Sequence, residues 1–128
     1  MKATITSLIF LLLSLTVSSQ TYKYIGIEEG LSNQKIYKIQ KDARGYMWFL
    51  THVGIDQYNG KEIKHYKLKE GDRELDPLLN INWTYLDKTG TLLVTGKQGR
   101  IFRYDSGHDR FVQIYSMYNY WNKDYHAF

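Results

Sequence analysis

The chain contains no cysteine and one proline among its 128 residues. The missing thiols exclude disulfide staples and a lipid-anchored export route, so the fold is held by packing alone. No long apolar run is present either. The longest stretch, Ile5 to Val17, is broken by Thr6, Ser7, Ser14 and Thr16, and a membrane span wants about 20 apolar residues. Strong charge of one sign is also absent. Net charge is +4, too weak and too scattered for a nucleic-acid partner. Catalytic signatures are missing as well: there is no P-loop, no G-x-S-x-G elbow and no histidine pair at metal-binding spacing. Outside the N-terminus no window carries a sustained helical period, which makes the body all-β.

What the chain does have begins at its first residues. Met1-Lys2, a short apolar middle and the small residues Val17 and Ser19 fit a secretory signal peptide over residues 1–19. Cleavage is expected between Ser19 and Gln20, with an uncleaved anchor as the alternative. Removing that segment takes away Lys2 and leaves 16 basic against 13 acidic residues.

The body repeats. Ile36 returns as Ile81, Asp42 as Asp87, Gly45 as Gly90 and Gly54 as Gly99, each pair 45 residues apart. Tyr58 returns as Tyr104 at a spacing of 46, so one residue has been inserted. A period of this size marks a unit that buries its apolar face only by stacking on copies of itself. In the first unit, residues 36–68, Ile36-Tyr37-Lys38-Ile39-Gln40-Lys41 is one run and Asp42-Ala43-Arg44-Gly45 a turn. Tyr46 to Thr51 reads as a strand buried on both faces. Ile55-Asp56-Gln57-Tyr58 alternates with period two. Asn59-Gly60 predicts a two-residue type I′ hairpin leading into a fourth strand from Lys61. Four short strands per unit are the composition of a propeller blade. The second unit, residues 81–115, repeats the plan with a longer third hairpin. Residues 20–35 form a lead-in, and residues 116–128 start the next blade. Residues 69–80, with Glu70, Asp72, Glu74, Asp76 and the lone Pro77, are expected to be a solvated inter-blade loop without an EF-hand pattern.

His52, His65, His108 and His126 are scattered and read as loop or strand-face residues. Asp42 and Asp87 open turns and so have a structural task. The twelve tyrosines belong mostly to strand faces. Asn82-Trp83-Thr84 matches the glycosylation acceptor pattern by coincidence. No catalytic residue, metal ligand or cofactor is assigned, and the ligand-binding positions are unknown.

The run from Glu29 to Gly60, EGLSNQKIYKIQKDARGYMWFLTHVGIDQYNG, resembles the opening of the sensor propeller of hybrid two-component regulators. Gly30-Leu31-Ser32, Asp42, Gly45, Trp48, Phe49, Thr51, Gly54, Tyr58 and Gly60 match that pattern. Leu50, Gln57 and Asn59 depart from its usual Gly, Arg and Asp, and Leu93 replaces the Trp in the second unit. The resemblance implies a periplasmic receptor with two propellers, a β-sandwich, a membrane helix, a histidine kinase and often a DNA-binding output. It implies an oligosaccharide or other small periplasmic ligand, a homodimeric receptor and further blades of the same polypeptide as partners. On this reading the chain is a non-catalytic N-terminal fragment: a signal peptide and the first two blades of a partial β-propeller. A secreted binding or scaffold propeller, or a truncated propeller lyase or glycosidase, are the alternatives.

Overall fold

The computed structural model describes residues 21–76, 81 and 83–117. The expected cleavage site at Ser19 and Gln20, Pro77, Asn82, His126 and all but two residues of the segment 116–128 lie outside them. Strands β1 (Ile36–Lys41), β2 (Met47–Thr51), β3 (Gly54–Tyr58) and β4 (Ile63–Tyr66) form an antiparallel meander in chain order. A second meander follows, from β7 (Trp83–Leu86) through β8 (Leu92–Thr95) and β9 (Ile101–Asp105) to β10 (Arg110–Tyr115). Between them sits a small hairpin, β5 (Lys69–Glu70) with β6 (Arg73–Glu74). The fold is all-β and consists of two adjacent propeller blades.

Directly paired residues of a sheet point to the same side, so the registers assign each residue to a face. In blade 1, Leu50, Ile55 and Tyr66 lie opposite one another, as do Trp48, Gln57 and Lys64. This face packs on blade 2, against Val94, Phe102, Tyr104 and Phe111, with Leu68 and Leu75 closing the rim. Trp48, Ile55, Val94 and Phe102 are wholly inaccessible. Each such side chain contributes about 1.5–3 kcal/mol on burial.

The opposite face of blade 1 is covered in part, although among the described residues no blade lies on it, and Ile39 stays exposed there. Leu31, Phe49, Thr51 and Asp56 are all buried there. The lead-in supplies the cover: the Ser32 amide and hydroxyl both donate to Asp56 Oδ2 at 2.8 Å, and the His52 amide donates to Lys35 O. Blade 2 carries Phe102 at the ladder position of Asp56, since Phe49 pairs with Asp56 and Val94 with Phe102. The polar residue marks where blade 1 meets a polar loop instead of another sheet.

Four local expectations change. The alternation in Ile55–Tyr58 does not expose its polar half, because Asp56 and Gln57 are both buried. Asn59-Gly60 does not form a two-residue loop: Tyr58 pairs with Ile63, leaving four loop residues. Asn59 Oδ1 accepts the Lys61 and Glu62 amides, and this Asx turn carries the reversal with only Gly60 at positive φ, +98°. Segment 69–80 is not merely a solvated loop. It holds the β5–β6 hairpin, buries Leu75, and ties Glu70 to the buried side chain of Arg100. Finally, Gly54 and Gly99 are not conformational equivalents. Thr51 pairs with Gly54 in one blade and Thr95 with Ile101 in the other. The inserted residue falls in this turn, where Gly99 adopts φ +63° within a 3-10 turn, Lys97–Gly99.

Candidate functional site

The repeat's polar residues converge on the hairpins and on the seam between the blades. In the first hairpin Asp42 is buried and Gly45 holds φ +87°. Asp42 Oδ1 accepts the amides of Arg44 and Tyr46, and Oδ2 accepts the Trp48 indole N–H at 2.9 Å. The motif thus fastens the turn and orients the largest core side chain at once. The second hairpin keeps the plan with Asp87 and Gly90. Asp87 Oδ1 accepts the Thr89 and Thr91 amides and the Thr89 hydroxyl. The Thr89 hydroxyl, then the Thr91 amide, hold this carboxyl well below the usual range. With Leu93 in the tryptophan position, Asp87 Oδ2 accepts instead from Arg103 Nε at 3.0 Å. The two hairpins also touch, the Ala43 amide donating to Gly90 O at 3.2 Å.

At the rim of the seam Asp109 joins the blades. Its Oδ1 accepts the hydroxyls of Tyr66 and Tyr104, each at 2.6 Å, and its Oδ2 accepts from Lys64 Nζ at 2.9 Å. The Tyr104 hydroxyl, then the Tyr66 hydroxyl and the Lys64 ammonium, hold the Asp109 carboxyl down at about 2. Burial, then the bond to Asp109, pushes the Tyr66 phenol upward. Beneath the carboxylate, Trp48, Tyr66, Tyr104 and Phe111 form an aromatic cluster with centroids 4.7–5.8 Å apart, mostly edge to face.

Ser32, Asp56 and His65 also form a chain. His65 Nδ1 lies 2.8 Å from Asp56 Oδ1, while Ser32 donates to Oδ2. The carboxylate stands between serine and histidine, so the imidazole does not reach the hydroxyl proton as a nucleophile's base must. The chain fastens the lead-in to β3 and β4. His52 contacts the Tyr37 hydroxyl and His108 the Asp105 carboxylate. No cluster of three or more metal-ligating side chains occurs among the described residues.

Of the residues singled out in the sequence, Asp42, Gly45 and Trp48 meet at one hairpin, and Asp87 and Gly90 at its counterpart. Tyr58 donates to Gly60 O within its own loop. Tyr104 is buried in the seam. The sequence marks neither the Asp109 network nor the Asp56 one; Ser32 alone carries a signal, as the last residue of the Gly30-Leu31-Ser32 motif.

Residues 30–52 match the family model described as two component regulator propeller. The match runs from that motif through the first hairpin to the end of β2. No curated protein matches the chain. Over residues 30–52 the chain is similar to the propeller repeat of two-component regulators, and the two meanders have the form of adjacent propeller blades.

Proposed function

We propose that this chain belongs to the exported sensor propeller of a hybrid two-component regulator, serving a receptor for glycan-derived oligosaccharides. The observation that carries the propeller part of this reading is the outer face of blade 2. By strand register, Leu93, Ile101 and Tyr115 occupy the places of Trp48, Ile55 and Tyr66, the face that blade 1 buries. Trp83, Tyr85, Val112 and Tyr115 stand exposed on it. Blade 2 is therefore built to receive a neighbour as blade 1 receives blade 2, which is how a propeller continues. The two-component part is supported by the match over residues 30–52.

In such a receptor the blades are a non-catalytic scaffold. A ligand that favours one arrangement of a dimer over another would transmit that bias to the kinase. The coding sequence downstream of codon 128 tests the reading: further blades followed by an in-frame histidine kinase support it. A stop after a closed propeller would leave a secreted binding protein instead, and acidic or histidine clusters in later blades an enzyme. Transcription of adjacent genes upon addition of glycan oligosaccharides tests the ligand class.

A further inference from the structure

We propose that Asn59-Gly60 is a self-modifying site, at which the chain converts its own asparagine into aspartate and isoaspartate through a cyclic imide. Of the six asparagines, Asn59 alone precedes a glycine. Imide formation needs the nitrogen of the next residue to reach the asparagine Cγ, and a glycine puts no Cβ in the way. Both residues are exposed. No atom beyond its chain neighbours lies within 4 Å of the place a Gly60 Cβ would take.

The loop leaves the reacting groups free and holds one oxygen. Among the described residues neither the Asn59 carbonyl nor the Gly60 amide makes a hydrogen bond, so this peptide unit is not fixed. The side chain does the carbonyl's work instead: Asn59 Oδ1 accepts the Lys61 and Glu62 amides, each at 2.9 Å. These two donors face the oxygen on which negative charge gathers as Cγ becomes tetrahedral. Nδ2, the departing nitrogen, is held only by Glu62 Oε1 at 3.4 Å, a long and weak bond.

Water is the one co-reactant. Gly60 N loses its proton and bonds to Asn59 Cγ. The Cγ–Nδ2 bond breaks, and the nitrogen leaves with that proton as ammonia. Water then opens the imide. Entry at Cγ gives aspartate with the main chain intact, and entry at the Asn59 carbonyl carbon gives isoaspartate, whose main chain runs through Cγ. The aspartate suits the turn. Asp105, the counterpart of Asn59 46 residues later, uses its own Oδ1 to accept the Gly107 amide at 3.0 Å. The isoaspartate instead lengthens the main chain by one methylene between the paired residues Tyr58 and Ile63. It therefore spoils the hairpin that joins β3 to β4. None of this rests on the receptor reading above.

The test incubates the folded full chain at mildly alkaline pH and follows each asparagine by peptide mapping and mass spectrometry. Asn33 is the internal reference: its Oδ1 accepts the Lys35 amide at 2.8 Å, but Gln34 follows it. Asn59 is expected to convert roughly tenfold or more faster than Asn33, and Gly60→Ala to slow it by about as much. Hydroxylamine, which captures the imide, should cut the folded chain between Asn59 and Gly60. Equal rates at Asn59 and Asn33, no hydroxylamine cut, or no slowing in Gly60→Ala would each overturn the proposal. Conversion more than about tenfold slower in the folded chain than in the guanidinium-unfolded one would also overturn it, by showing that the turn locks Cγ away from the Gly60 nitrogen.

Discussion

The Trp48 indole donates to Asp42 Oδ2 across 2.9 Å, from the start of β2 to the turn that precedes it. In blade 2 the same carboxylate position, Asp87, is served by Arg103 from the next strand, while Leu93 fills the tryptophan site. The partner of the carboxylate has moved one strand across the ladder: Trp48 pairs with Gln57, and Leu93 with Arg103. The turn survives because either donor satisfies Oδ2.

The two solutions differ in worth. Trp48 is fully buried and its bond is to a buried carboxylate, so losing it leaves a charged acceptor short of a donor. Trp48→Phe is expected to cost about 2–3 kcal/mol in urea unfolding. Arg103→Leu removes a pair whose guanidinium side chain is 46% exposed and should cost under about 1 kcal/mol. Equal losses would show that the indole bond has no special weight.

Gly45 and Gly90 close equivalent turns at φ +87° and +74°. A Cβ at Gly45 meets only Lys41 Cε at 3.9 Å, whereas one at Gly90 falls 2.3 Å from Ala43 Cβ. Gly45→Ala should therefore cost the left-handed penalty alone, about 1–2 kcal/mol, and Gly90→Ala clearly more. Ala43→Gly added to Gly90→Ala should recover the excess. Thermal unfolding of the four proteins checks this, and failure of the second substitution to restore stability would mean that the hairpins do not press on each other.

Much of the blade plan was legible because it is local. The apolar runs and the Asp-x-x-Gly turns are contiguous, and each specifies a strand or reversal within six residues. What was not legible depends on distance. Asp56 and Gln57 look like a solvent face, and Asp56 is buried because Ser32, 24 residues earlier, brings its donors. Asp109 sits in an ordinary polar hairpin, and its task appears only when Tyr66, 43 residues away, reaches it. Asn59-Gly60 misled for a different reason: the Asn59 side chain stabilised a longer loop than the dipeptide specifies.

Acid should loosen the seam through Asp109. Its folded pKa of about 2 lies below the ordinary 3.8, so the carboxylate's contribution is complete above about pH 4 and fades as pH falls through 2. Asp109→Asn keeps a side chain tolerant of its φ of +50° and removes the charge. The stability gap between the two proteins should be constant from pH 7 to about 5 and shrink between pH 4 and 2. A gap that stays flat down to pH 2 would mean that the carboxylate is not what binds Lys64 and the tyrosines in solution.

The outer face of blade 2 should drive self-association of the chain. Trp83, Tyr85, Val112 and Tyr115 are 36–53% exposed there, beside the half-buried Leu93 and Ile101. On the outer face of blade 1 the lead-in buries Phe49 and Thr51, while Ile39 of β1 stays exposed. Contiguous exposed apolar side chains of this kind find a cover, and at micromolar concentration the available cover is another copy. Sedimentation velocity should show association that grows with concentration and with added sulfate, which strengthens apolar burial. Tyr85→Glu with Tyr115→Lys should shift the population toward monomer without lowering the unfolding midpoint, since both side chains are exposed. Association that persists undiminished in the double variant would place the contact elsewhere and remove the case for this face as the seat of a neighbouring blade.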